Sequence, residues 1–445
     1  MADLGIKSAI KSILPKGALS AYHYSLALLA NAIYGFPSRR LIVVGVTGTQ
    51  GKTTTAHMIS HLLNELGQPC GLISTALIKI GKREWLNDLK MTMPGRFKLQ
   101  SYLRKMIGVG CKFAVIETSS EGIAQWRHIG ISYDAAVFTN LSPEHIEAHG
   151  SYDNYRNAKL KLWKKIMAGN PKVIGGKTVS RLSVINADDK EADLFLRLPA
   201  DKKIAFSVHG QKNSAAEVNL LAEKVSADAF KSAFLINGVE FNLSVGGEFN
   251  VYNALAAVSV LTGWGFNLKL IAKVASSFTG TPGRLEFIKA GQNFSAVVDY
   301  AHTPESLEAV YRAISSQKNN KKIIAVLGSC GGGRDQAKRP VLGKLAGQFA
   351  GEVIVTNEDP YDEDPLSIMK AVAEGAASAG KVMAKNLFII EDRRQAIARA
   401  AKQAQANDLV IITGKGCEQW LMTSKGKIPW DDRRVVEEEI RKILH

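Results

Sequence analysis

The run from Gly45 to Thr55, GVTGTQGKTTT, combines the residue types that hold a nucleoside triphosphate. Gly48 and Gly51 let the backbone come close without a Cβ, so that successive N–H groups can face phosphate oxygens. Lys52 is placed to reach the outer phosphates and Thr53 to ligate Mg2+, with Thr49 and Thr54 in the same loop. The strict G-x-x-x-x-G-K spacing fails at one place, because Val46 stands where its first glycine belongs.

A loop of this kind needs a strand entering it and a helix leaving it, since the helix N-terminus adds positive potential at the phosphates. LIVVGV (41–46) and HMISHLLNEL (57–66) meet that need. Further short apolar runs, FAVIE (113–117), AAVFTN (135–140) and SVIN (183–186), alternate with helical stretches and predict an α/β domain on a largely parallel sheet. After the cluster Gly280-Thr281-Pro282-Gly283 comes a second set: SAVVDY (295–300), KIIAVLG (322–328), EVIVTN (352–357), NLFIIE (386–391) and DLVIITG (408–414). Two α/β domains are expected, 40–280 around the P-loop and 281–445 after it, behind a helical segment 1–39.

The length of 445 residues predicts two or three domains at about 100 to 200 residues each. A hydrophobic share of 46% with 22% charged residues is that of a packed chain. Lys and Arg outnumber Asp and Glu by 57 to 41, and the net charge of +16 favours anionic partners such as nucleotides, sugar phosphates or an acidic lipid surface. Nucleic acid is not expected, because no basic-aromatic module accompanies the charge. Cys70, Cys111, Cys330 and Cys417 lie far apart without a C-x-x-C pair, which indicates neither a disulfide framework nor a zinc ribbon and suits a reducing, cytoplasmic compartment. Residues 17–38, GALSAYHYSLALLANAIYGFPS, carry no charge, yet Tyr22, His23, Tyr24, Ser25 and Asn31 interrupt a clean membrane span. They read as a helix docked on the body or resting at an interface, and Lys7 and Lys11 ahead of them suit peripheral contact with an anionic membrane.

The variant G-x-T-G-T-x-G-K-T-T resembles that of the Mur ligase family, and further segments follow in that family's order. They are Glu117-Thr-Ser-Ser120, Asn140 to His145 (NLSPEH), Tyr155-Arg-Asn-Ala-Lys159, Phe249 to Asn253 (FNVYN), Gly283-Arg-Leu-Glu286, Asp299 to Pro304 (DYAHTP), Gly332-Gly-Arg-Asp335 and Gly414 to Glu418 (GKGCE). DYAHTP, the GGRDxxKRP run and GKGxE look most like the MurE branch. The resemblance covers roughly residues 40–445 and implies a P-loop ATPase domain followed by a Rossmann-like α/β domain. It implies an ATP-dependent amide ligase of peptidoglycan precursor synthesis: a carboxylate takes the γ-phosphoryl group, an amine attacks the acyl phosphate, and ADP and phosphate leave.

Under that resemblance Lys52 and Arg284 supply cations around the transferring phosphoryl group. Thr53 and Glu117 hold one magnesium ion, and His145 helps hold a second. Lys159 matches the lysine that CO2 carbamylates to assist magnesium binding. Asn253 meets the adenine, Asp299 and His302 reach the ribose, phosphates or metal, and closure about Gly280–Gly283 excludes water from the acyl phosphate. Thr92, Ser120, Gln125 and Arg127 match acceptor-contacting positions for a UDP-muramyl dipeptide. Arg334, the stretch Asn357-Glu358-Asp359, Gly414 and Glu418 match the amino-acid pocket.

Two features depart from the family pattern. Diaminopimelate-adding members carry D-N-P-R where this chain reads Glu358-Asp359-Pro360-Tyr361. Loss of that arginine, with Glu358, Asp359, Asp362 and Glu363 close together, favours a side chain ending in an ammonium, such as lysine or ornithine, and lysine is expected over diaminopimelate. MurE-type ligases also place a UDP-binding domain ahead of the P-loop, whereas about forty residues precede it here. Three readings stay open: the tripeptide ligase, a relative acting on another carboxylate (lipid-linked or of the folylpolyglutamate type), and a nucleotide-binding partner without catalysis.

Overall fold

The structure is a computed structural model that describes residues 16–89, 91–143, 149–167, 169–315, 321–333 and 335–444. His145 and Arg334, both expected site residues, lie outside the described residues. The chain divides into two compact units. The first holds the described residues up to Trp85 with Met91–Leu221 and Tyr252–Ile271; the second holds those of 86–90, Ala222–Val251 and 272–445.

The uncharged segment forms helix α1 (Lys16–Ile33). Ala27, Ala30 and Asn31 are buried, while Tyr22, Leu28, Leu29 and Ile33 are exposed. Helix α1 packs against α3 (Arg96–Gly108), which follows the P-loop helix α2 (Lys52–Glu65) in the chain. Among the described residues no helix is long and apolar enough to cross a membrane.

The first unit is built on a nine-stranded sheet. Its strands are β1 (Ile42–Thr47), β2 (Cys70–Ile73), β3 (Leu77–Ile80), β4 (Arg83–Leu86), β5 (Phe113–Glu117), β6 (Ala135–Phe138), β7 (Leu182–Asn186), β8 (Lys202–Ser207) and β9 (Val218–Leu221), in the spatial order β9-β8-β7-β6-β1-β5-β2-β3-β4. Pairing is parallel from β9 through β2, and β3 returns antiparallel. β5 and β6 are wholly buried, as their unbroken apolar runs require in a sheet covered on both faces. β1 lies between β5 and β6, with Val46 beside Glu117 and Thr47 beside Phe138, so the loops leaving these three strands emerge together. Ligands of open α/β sheets bind at such carboxyl edges.

The second unit contains a three-stranded antiparallel sheet, β10 (Glu223–Ala227), β11 (Ser232–Ile236) and β12 (Val239–Leu243). Its larger sheet has six strands: β13 (Glu286–Ile288), β14 (Ser295–Asp299), β15 (Ile323–Leu327), β16 (Glu352–Val355), β17 (Leu387–Ile389) and β18 (Leu409–Thr413). The order is β13-β14-β18-β15-β16-β17, parallel except for the β13–β14 pair. Every apolar run named from the sequence is a strand here. The strands that sequence patterning passed over include half-buried ones such as β11, where buried and partly exposed residues alternate, and short ones such as the wholly buried β2.

Candidate functional site

In the first unit, Gly51 caps α2 with a positive φ of 77° and makes no side-chain cap hydrogen bond, and a helix N-terminus of this kind favours an anion. Gly48 has φ 155°, and a Cβ there would lie 1.9 Å from Thr139 Oγ1, so only glycine fits. The end of β6 clamps the loop. Thr49 N donates to Asn140 O at 2.9 Å, Gln50 N to Asn140 Oδ1 at 2.8 Å, and Thr139 Oγ1 to Gln50 O at 2.6 Å.

Around this loop the structure gathers the expected phosphate and metal residues. Lys52 Nζ donates to Thr49 O at 2.6 Å. Thr53 Oγ1 donates to both carboxylate oxygens of Glu117, at 3.0 and 3.1 Å. Thr54 is buried in the same turn. Lys159, on α5 (Tyr152–Ile166), is 1% exposed; its Nζ donates to Gly48 O at 2.6 Å and sits 4.3 Å from the centre of the Tyr155 ring. Asn253 enters from helix α6 (Glu248–Gly263), where its Oδ1 accepts from Thr55 Oγ1 at 3.1 Å and would meet any Cβ on Gly51. A hydroxyl and a carboxylate side by side beside an uncapped helix end are hard oxygen donors that fit a magnesium ion sharing its shell with phosphates.

The expected acceptor residues adjoin this cluster. Glu117 Oε2 also accepts from Thr75 N at 2.7 Å, and Thr75 Oγ1 donates to Thr92 Oγ1 at 2.9 Å, which ties Thr92 to Glu117. Ser120 opens helix α4 (Ser120–Ala124), and its Oγ lies 3.1 Å from His149 Nε2. Arg127 donates to Gln125 Oε1 at 2.6 Å and to Met93 O. His149 was not singled out from the sequence. Its signal was its place four residues after His145 in the chain, and burial followed by the nearby Lys159 charge lowers its pKa.

In the second unit the expected residues collect beyond the carboxyl ends of β14, β16 and β18. Asp299 accepts from Leu285 N and Ala301 N, both at 2.6 Å, and burial raises its pKa despite the nearby Arg284. The Arg284 guanidinium stands 4.1 Å over the Tyr300 ring, and His302 packs edge-on against the same ring at 4.7 Å. Glu358 is buried; Cys330 Sγ donates to its Oε1 at 3.0 Å, and its Oε2 packs on Gly414. Asp359 and Glu418 converge on Lys415, whose Nζ lies 2.9 and 3.0 Å from the Asp359 oxygens and 2.5 Å from Glu418 Oε2. Lys415 was missed as a site residue although it stands inside the quoted GKGCE run, because nothing local marks a lysine as buried.

The description "Mur ligase middle domain" matches residues 46–261, and "Mur ligase, glutamate ligase domain" matches residues 283–416. A UDP-N-acetylmuramyl-tripeptide synthetase of Roseiflexus sp. (strain RS-1) is 38% identical over 416 residues, 92% of this chain and 80% of its own length. A UDP-N-acetylmuramoyl-L-alanyl-D-glutamate--2,6-diaminopimelate ligase of Geobacillus kaustophilus (strain HTA426) is 35% identical over 94% of this chain and 82% of its own. A solved structure of a ligase with that second name superposes with a TM-score of 0.59 at 30% identity, covering 91% of this chain and 79% of the other.

Proposed function

This chain belongs to the Mur ligase family, and from that premise we propose that it is an ATP-dependent ligase of peptidoglycan precursor synthesis. It joins an amino acid to UDP-N-acetylmuramoyl-L-Ala-D-Glu through an acyl phosphate. The observation that carries this reading is the cluster of Lys52, Thr53, Glu117 and Lys159 around an uncapped glycine loop.

The loop N–H groups and Lys52 bind the phosphates and oppose the charge that builds on the transferred group. Thr53 and Glu117 would hold a magnesium ion, which supplies further positive charge to the same oxygens. Lys159 is carbamylated: its ammonium first loses a proton, the free amine nitrogen then bonds to the carbon of CO2 and gives up a second proton, and the buried cation becomes an anion beside the loop. With His145 this carbamate would hold a second magnesium ion. Thr92, Ser120, Gln125 and Arg127 orient the acceptor, and an arginine there suits its carboxylate or pyrophosphate. Asn253 serves the adenine side, and Arg284, Asp299 and His302 are assigned to the ribose, the phosphates or their metal.

The amine is lysine in preference to diaminopimelate. Asp359 and Glu418 share the single cation Lys415, and buried Glu358, which accepts from a thiol and lies in the field of Arg393, adds a further carboxylate to receive a side-chain ammonium. Tyr361 stands where D-N-P-R would put an arginine. Amine-dependent ADP release with the muramoyl dipeptide, comparing lysine, ornithine and diaminopimelate, tests both parts. Turnover with lysine is expected. Turnover with diaminopimelate alone would overturn the choice of amine, and silence with all three from protein that binds ATP would overturn the acceptor.

The exposed side of α1, with Tyr22, Leu28, Leu29 and Ile33, rests on an anionic lipid surface; exposed Arg39 and Arg40 just beyond the helix supply the matching charge. Co-sedimentation with phosphatidylglycerol vesicles is expected and should vanish in Leu29→Glu/Ile33→Glu. Equal recovery of both proteins in the pellet would sink the contact.

A further inference from the structure

Trp126 lies between Gln125 and Arg127, and its φ of 59° is in the left-handed region that a large side chain rarely takes. Such a turn persists only where its surroundings hold it. Four groups do so. Trp126 Nε1 donates to Ser20 Oγ at 2.7 Å, and Tyr24 meets the indole edge-on at 5.6 Å. Lys161 Nζ stands 5.2 Å from the ring centre, and His128 stacks at 6.1 Å with an interplanar angle of 15°. Burial, then the Lys165 and Lys161 charges, lower the His128 pKa to about 4, so the stacked imidazole is neutral at physiological pH.

Ser20 and Tyr24 are four residues apart on α1 and therefore share one helix face. The chain after α1 holds the other end of the same loop. Ser38 Oγ donates to Gly130 O at 3.2 Å and accepts from Ser132 N at 3.0 Å, while Asn31 fills the space a Cβ on Gly130 would need. On the opposite side Arg96 donates to Gln125 O and Arg127 to Met93 O. The turn is thus held between α1 and the α3 region, with Gln125 and Arg127 joined across it.

We propose that α1 positions the acceptor: through Ser20 and Tyr24 it latches Trp126 in its left-handed turn, and that turn aims Gln125 and Arg127 at the substrate. The proposal rests on the acceptor role given to Gln125 and Arg127 above. Trp126 is a positioning residue, acting through its two neighbours.

Trp126→Gly separates backbone from ring, because glycine adopts the turn without strain yet offers nothing to Ser20 or Tyr24. The KM for the muramoyl dipeptide is expected to rise roughly tenfold in Trp126→Gly and a few-fold in Ser20→Ala and Trp126→Phe, with the KM for ATP changing less than about twofold. Trp126→Gly/Ser20→Ala should be no worse than Trp126→Gly, since both break one latch. Wild-type acceptor KM in Trp126→Gly, or a parallel rise in the KM for ATP, would overturn the proposal. Hydrogen exchange gives a readout independent of turnover. The Gln125 and Arg127 amides should exchange faster in Trp126→Gly and Ser20→Ala at unchanged melting temperature, and unchanged exchange also overturns the latch. An unsubstituted protein inactive on the muramoyl dipeptide would instead overturn the functional reading, with the exchange result still deciding the latch.

Discussion

Lys159→Ala is expected to lower ligase turnover by at least about a thousandfold while ATP binding stays measurable, because the variant removes charge that acts on the reacting groups and leaves the phosphate loop in place. Lys159 is buried against Tyr155 and reaches the Gly48 carbonyl, so its nitrogen stands at the loop that would carry the phosphates. Two roles fit that position. An ammonium would brace the loop through its hydrogen bond, whereas a carbamate would present two anionic oxygens as metal ligands. Lys159→Arg distinguishes them, since a guanidinium keeps the charge and donors but is not a carbamate-forming amine. It is expected to be as inactive as the alanine variant. Restored turnover in Lys159→Arg would assign the bracing role and sink the carbamate. Labelled bicarbonate should also give a carbamate carbon resonance in the native protein that both variants lack.

Lys415→Met is expected to destabilise the protein by about 3–5 kcal/mol, the usual cost of removing one partner from a buried ion pair. Lys415 is 1% exposed, and its loss takes from Asp359, itself 3% exposed, and from Glu418 the ammonium that binds both. Burial disfavours charge on Lys415, but Glu418 and Asp359 outweigh it and hold its pKa above the usual lysine range. A raised lysine pKa contributes stability that is complete below the unfolded value of about 10.4 and is lost only as pH rises through the folded value. The native contribution is therefore flat across neutral pH. In Lys415→Met the buried carboxylate has lost its ammonium partner, so the loss of stability should be smaller in acid than at neutral pH. Denaturant melts at several pH values check this. Asp359→Asn added to Lys415→Met should restore part of the loss, and a single-variant loss under about 1 kcal/mol would mean the pair behaves like an exposed one.

The legible part of the site was its local part. Gly48 to Thr54 lie within seven consecutive residues, and their chemistry follows from spacing alone, as does the strand-loop-helix that carries them. Glu117 was legible as a carboxylate at the end of a buried strand, but its pairing with Thr53 depends on β5 lying beside β1. His149, Thr75 and Lys415 were not legible as site residues. A threonine or a lysine is ordinarily a surface residue, and only burial among particular partners makes it part of a site. Trp126 shows the same limit, because neither its backbone conformation nor its contact with α1 follows from the letters around it.

Local chemistry and periodicity, which need only neighbouring residues, determined the α/β class, the phosphate loop and, through the ordered segments, the family. Tertiary structure decided what depends on residues far apart in the chain. It put Asn253 beside Gly51, committed Lys415 to Asp359 and Glu418, and turned residues 17–33 of the uncharged segment into a helix that bonds Trp126 and exposes apolar side chains. Spacing along the chain constrains neighbours through fixed backbone geometry, whereas contacts between distant segments are set by which faces the packed sheet and helices bury.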